Sequence, residues 1–131
     1  MKTKQVIVMR YKYPDGKGGT VGLRTGKYIA QACHASMAFL SRRVFETQGT
    51  PIFSDAEINW FQNSYAKVCC RVDTEEELLD IYEKAKAAGL EVHLITDSGK
   101  TEFKEPTKTC LAIGPDLAEK IDPITGHLKL L

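Results

Sequence analysis

The sequence predicts an α/β layered domain built on a small mixed sheet. Three observations point there. Four short β-rich runs are spaced along the chain, and two helical periodicities lie between them. The order strand, helix, strand, helix, strand, strand is that of a layered α/β fold. The length of 131 residues, with 43% hydrophobic and 27% charged side chains, suits one globular domain spanning residues 1–131 with a real core.

In chain order, Gln5 to Tyr11 is an apolar run short enough for a buried strand. Residues Tyr13 to Gly22 hold four glycines and a proline and are expected to form a mobile loop. From Lys27 to about Phe45, Ile29, Cys33, Met37, Leu40 and Val44 recur at steps of three and four, the stripe of an amphipathic helix with Thr25 as its N-cap. Glu46 to Ser64 is irregular except for a short helix around Ala56 to Phe61, whose Trp60 is expected to pack as a satellite of the core. Ala66 to Val72 is a second strand. A helix follows, opened by a capping box of Thr74 with Glu77, closed by Gly89, and turned inward at Leu78, Tyr82 and Ala85. Glu91 to Thr96 and Thr109 to Pro115 are the third and fourth strands. The loops after the first and third strands fall at one sheet edge, where α/β domains usually bind ligands.

Composition excludes several classes. No apolar run approaches the roughly 18 residues of a membrane span. The opening MKTKQVIVMR reads as a basic tip and a strand, not a signal peptide, so no membrane partner and a cytoplasmic location are expected. Cys33, Cys69, Cys70 and Cys110 show no C-x-x-C spacing and read as reduced, packed thiols. Net charge is only +1, but the first 43 residues carry nine Lys and Arg against Asp15 alone, while residues 44–92 carry four bases against ten acids. A nucleic-acid backbone selects such a basic segment.

Two groups of residues carry chemistry. The first opens at Gly22-x-x-x-Gly26-Lys27-Tyr28, one spacer short of a phosphate-binding P-loop and without its hydroxyl after the lysine, which argues against nucleoside triphosphates. What remains is Lys27 in a first helical turn, with Gln31 and His34 on the same side of the helix. A lysine there opposes the helix dipole, so the row is either a solvated face or one that meets an anion. The second group, Thr96 to Thr109, sets Asp97 after a strand, with Lys100 and the hydroxyls of Thr101, Thr107 and Thr109 close behind. Asp97 either caps a turn or, with the hydroxyls, orients water while lysine steadies an oxyanion. His34, His93 and His127 are far apart, so no metal site is expected.

These same residues carry a resemblance. Gly26 to Ala35 (GKYIAQACHA), Asp97 to Glu102 (DSGKTE), Pro106 to Pro115 (PTKTCLAIGP) and Ile121 to Leu130 (IDPITGHLKL) resemble, in order, the motifs of the type 2 peptidyl-tRNA hydrolases. The resemblance implies a three-layer α/β/α domain with a four-stranded mixed sheet, often dimeric, that cleaves the ester joining a peptide to tRNA and uses neither metal nor cofactor. It implies catalytic roles for Lys27, His34, Asp97 and Thr101, and substrate-binding roles for Gln31, Thr107, Thr109 and Lys100. It also implies tRNA as the partner. A non-catalytic tRNA-binding or adaptor protein of the same fold is the alternative. Lys100 and Glu102 stand where the family has Arg and Gln, Glu105-Pro106 replaces Pro-Gly, and Tyr11 to Thr25 is longer than the family's first loop. A negative charge at Glu102 is expected to repel phosphate or perturb Asp97.

Overall fold

The computed structural model describes residues 1–100 and 102–131. Its strands are β1 (Thr3–Arg10), β2 (Tyr13–Pro14), β3 (Thr20–Val21), β4 (Lys67–Val72), β5 (Val92–Asp97), β6 (Thr107–Leu117) and β7 (Lys129–Leu130). Its helices are α1 (Thr25–Glu46), α2 (Asp55–Asn59), α3 (Glu75–Ala87) and α4 (Ala118–Thr125), and a π-helical turn, Trp60–Ser64, continues α2. The main sheet is mixed and five-stranded, in the order β5-β6-β1-β4-β7, one strand more than expected because Lys129 and Leu130 pair with β4. β1 runs parallel to β4 and antiparallel to β6, which is antiparallel to β5. The C-terminal ends of β1, β4 and β5 therefore share one edge, and the loops after β1 and β5 meet there as expected.

β1 is buried along nearly its whole length, which is why it reads as an unbroken apolar run. Its side chains alternate between two cores. Val6 and Val8 join Leu78, Ile81 and Ala85 of α3 and Ile121 of α4. Ile7 and Met9 join Ala35 of α1 with Cys110 and Ala112 of β6.

Helix α1 corrects the sequence reading. The apolar stripe of Ile29, Cys33 and Met37 faces outward, with Ile29 59% and Met37 62% exposed. The buried residues are Gln31, Ala35 and Phe39, each two positions further on and so about 160° around the helix. Small residues let α1 approach the sheet closely, and its polar groups are satisfied there: Gln5 of β1 donates to the Ser36 carbonyl at 3.0 Å, and Ser36 Oγ donates back to Gln5 Oε1 at 2.6 Å. Cys33 is accordingly exposed, not packed, although all four cysteines are free as expected. The cap also differs, since Thr25 is already helical and Arg24, at the cap position, makes no side-chain cap bond.

Other departures are smaller. The glycine-rich segment forms the β2–β3 hairpin, its turn held by Asp15, which accepts from the backbone N–H groups of Lys17 at 2.7 Å and Gly19 at 3.0 Å. At α3, Thr74 accepts from the Glu77 N–H, but the reciprocal capping box forms instead at Ser54 and Glu57 of α2. Gly89 ends α3 with a positive φ, as a C-terminal stop requires. Trp60 is buried and packs edge-on against Phe39. Helix α4 contains Pro123, a residue that hides a helix from periodicity.

Candidate active site

The edge where β1 and β5 end brings Asp97, the last residue of β5, against the first turns of α1. Lys27 Nζ lies 2.8 Å from Asp97 Oδ1, with only 11% and 9% of the two side chains exposed. The anion that a lysine in the first turn calls for is thus supplied by the protein. Gln31, one helical turn along, donates from Nε2 to the same Asp97 oxygen at 3.3 Å. Its Oε1 accepts from Thr109 Oγ1 at 2.6 Å, deep in the sheet. Thr109, Gln31, Asp97 and Lys27 form one continuous chain of hydrogen bonds from core to surface.

Asp97 caps a turn, the first of the two roles the sequence left open, and also gathers two side chains. Its Oδ2 accepts from the Gly99 N–H at 2.9 Å, closing a turn, while Oδ1 faces Lys27 and Gln31. Gly99 is required here: its φ is +84°, and a β-carbon would stand 2.5 Å from the Glu105 carbonyl carbon. The Lys27 ammonium, then the Gly99 N–H, holds the Asp97 carboxyl below its ordinary value, so it stays ionised at neutral pH.

A family model, peptidyl-tRNA hydrolase PTH2, matches residues 3–131, and both arms of this hydrogen-bonded chain lie within the match. The chain belongs to that family. A peptidyl-tRNA hydrolase of Methanocaldococcus jannaschii is 40% identical over 129 residues, covering 98% of this chain and 99% of that protein. One from Nanoarchaeum equitans is 42% identical over 127 residues, covering 97% of each. A probable peptidyl-tRNA hydrolase 2 of Dictyostelium discoideum is 34% identical over 127 residues, 97% of this chain and 54% of that longer protein. A solved structure of a protein of unknown function from Agrobacterium tumefaciens shares the fold, with TM-score 0.57 at 14% identity over 100% of this chain and 98% of the other.

The residues expected of a PTH2 site are not all brought together. Lys27, Gln31, Asp97 and Thr109 converge. His34 is exposed and makes no side-chain hydrogen bond among the described residues, because it lies on the far side of Lys27 from the buried face. Thr107 Oγ1 is turned to the Glu105 carbonyl at 2.8 Å, Lys100 is exposed, and Thr101 lies outside the described residues. Glu102 is paired with Arg24, Oε1 accepting from Nε at 2.6 Å, so its charge is met locally; the Asp97 shift comes from Lys27 and Gly99. Among the described residues no group of three or more His, Cys, Asp or Glu could hold a metal ion. Burial pushes the Cys110 thiol up to about 12, which leaves it a packed thiol donating to the Gln31 carbonyl.

The sequence reading gave no role to three residues at the candidate site. Tyr28 accepts from the Leu23 N–H at 2.9 Å and donates to the Tyr11 carbonyl at 2.6 Å, fixing the start of α1 to the end of β1. Phe103 stands 5.7 Å from Lys27 Nζ, and Tyr13 of the hairpin packs 5.0 Å from Phe103. The one available signal was an aromatic in the otherwise polar run SGKTEFKEPTK.

Proposed function

We propose that this chain hydrolyses the ester between a peptide and the 3′ ribose of tRNA, releasing peptide and free tRNA. Membership of the PTH2 family and the names of its archaeal relatives support the activity. The observation that carries the mechanism is the nearly buried Lys27–Asp97 pair, tied to the core through Gln31 and Thr109.

In this reading water attacks the ester carbonyl carbon, and the Lys27 ammonium stabilises the oxyanion that develops on the carbonyl oxygen. The bond to the ribose oxygen then breaks, and the proton released by the water ends on that oxygen. An ionised carboxylate of lowered pKa is a weak base at neutral pH, so Asp97 orients Lys27 and the water more than it abstracts a proton. Gln31 has both polar ends engaged by the protein and acts as a positioning residue for Asp97. Exposed His34 and Lys100 are free to meet the tRNA end. Thr101, beside Asp97 in sequence, is kept as a water-orienting hydroxyl on the family resemblance.

Turnover of peptidyl-tRNA by the purified protein tests this. Asp97→Asn should lower kcat by roughly 10²-fold with tRNA affinity held, the scale of misplacing reacting groups. Because it leaves the nearly buried Lys27 without its countercharge, the variant should also melt lower, and turnover is measured well below that melting temperature. Wild-type protein that binds tRNA and hydrolyses none would overturn the reading.

Three further readings accompany it. Exposed apolar residues on α1, Ile29, Met37 and Phe45, and Ile52 in the segment after it, support a homodimer. The four free cysteines and a tRNA substrate support a cytoplasmic location, and no helix among the described residues is long and apolar enough to cross a membrane. The division of the apolar residues between two sides of the sheet supports a three-layer arrangement within one domain over residues 1–131.

A further inference from the structure

Beside the Lys27–Asp97 pair, a cleft of about 630 Å³ opens between the β2–β3 hairpin and the segment 102–107. Its size falls within the range of roughly 300–1,000 Å³ in which small ligands are held. One wall is a column of packed groups. The Arg10 guanidinium lies 4.3 Å over the Tyr13 ring, Tyr13 packs at 5.0 Å on Phe103, and Phe103 lies 5.7 Å from Lys27 Nζ. Phe103 therefore borders both the cleft and the reacting pair.

The charges of the cleft do not suit a phosphate backbone. Of the nine bases in the first third of the chain, Arg10 alone lines it, and Arg10 is 8% exposed, covering Tyr13 and donating to the Lys12 carbonyl at 3.1 Å. The remaining cation there, Lys104, shares the lining with Glu75 and Glu105, neither of which has an ion-pair partner among the described residues, while Glu102 is taken by Arg24. A polyanion entering this space would meet more unpaired carboxylates than available cations. An apolar or cationic peptide would meet the partly exposed Phe103 ring and two carboxylates instead.

We propose that this cleft receives the peptidyl end of the substrate, with Phe103 at its junction with Lys27 and the tRNA lying outside it. The assignment rests on the hydrolase reading and states which side of the scissile ester the acyl group occupies. The hairpin, the segment that lengthens the first loop, thereby supplies Tyr13 as the buried support on which Phe103 rests. Glu75 and Glu105 set a preference for basic over acidic residues at the ester.

The test uses N-acetyl-aminoacyl esters of one tRNA in which the esterified residue is Lys, Phe or Glu. The double variant Glu75→Gln/Glu105→Gln changes two exposed positions and leaves the fold unburdened. It should lower the kcat/KM ratio of the Lys to the Glu ester by roughly fivefold, the scale of two screened surface ion pairs, and leave the affinity for deacylated tRNA unchanged. Phe103→Ala should cost the Phe ester more than the Glu ester. An unchanged Lys/Glu ratio in a protein that hydrolyses all three esters would overturn the cleft assignment alone. Tighter binding of deacylated tRNA by the double variant would overturn it too, since removing carboxylates helps a polyanion. Failure of the wild-type protein to hydrolyse any of the three overturns the hydrolase reading, and this assignment with it.

Discussion

Asp97 concentrates what single residues contribute. Its two oxygens divide the work: one closes the turn at Gly99, the other gathers Lys27 and Gln31. Charge-assisted hydrogen bonds favour the ionised form, so its pKa in the folded chain lies below that in the unfolded chain. For a carboxyl shifted in this direction, the stabilisation is complete above the unfolded value of about 3.9 and is lost as pH falls through the lower folded value. The acid limb of kcat/KM due to Asp97 should therefore fall below about pH 4. A pH–rate profile measures it, and the limb should be absent in Asp97→Asn. A limb that persists unchanged in the variant would assign the titration to another group.

At the scale of elements, α1 decides most. Its more apolar side is not its buried side, because the sheet accepts small residues and one aromatic, and Gln31 must reach Asp97 from the inner face. The two faces should respond oppositely to substitution. Phe39→Ala empties a space in the core and should destabilise by about 3–5 kcal/mol in chemical denaturation. Met37→Ala, outside, should change the protomer's stability by no more than ~0.5 kcal/mol. Met37→Glu should shift the mass measured by light scattering toward the monomer with little loss of fold. A monomeric wild-type protein in that measurement would remove the dimer reading and leave the face of α1 without that role.

Across the whole molecule, a second polar network holds the far end of α1. Arg43 pairs in bidentate fashion with the buried Glu57 at 2.9 and 3.0 Å and reaches Glu91 at 2.7 Å. Arg42 meets His93 Nδ1 at 2.7 Å, and the other ring nitrogen of His93 meets Glu91. The network joins α1, α2 and the start of β5, and Arg43 is sixteen residues, about 24 Å of helix, from Lys27. Removing one partner leaves Glu57 buried without its countercharge, so Arg43→Met should cost about 3 kcal/mol of stability. Measured well below the melting temperature, kcat should stay within roughly twofold of wild type, because the chain from Thr109 to Lys27 is untouched.

The sequence by itself determined the elements with strong local signals. The unbroken apolar run of β1 follows from burial on both faces, and Thr74 and Gly89 bound α3 through backbone chemistry that needs no distant partner. It also placed Lys27 and Gln31 one helical turn apart and Asp97 at the end of a strand, the residues of the candidate site. Tertiary structure decided which of these meet. Lys27 and Asp97 are 70 positions apart, as are Arg24 and Glu102 by 78, and no local periodicity encodes such a pairing. The same holds for the inner face of α1, where periodicity finds the more apolar stripe while the sheet selects the side whose small and hydrogen-bonding residues fit against β1 and β6. Hydrophobic period reports how strongly a face avoids water; which face is buried depends on the surface it meets.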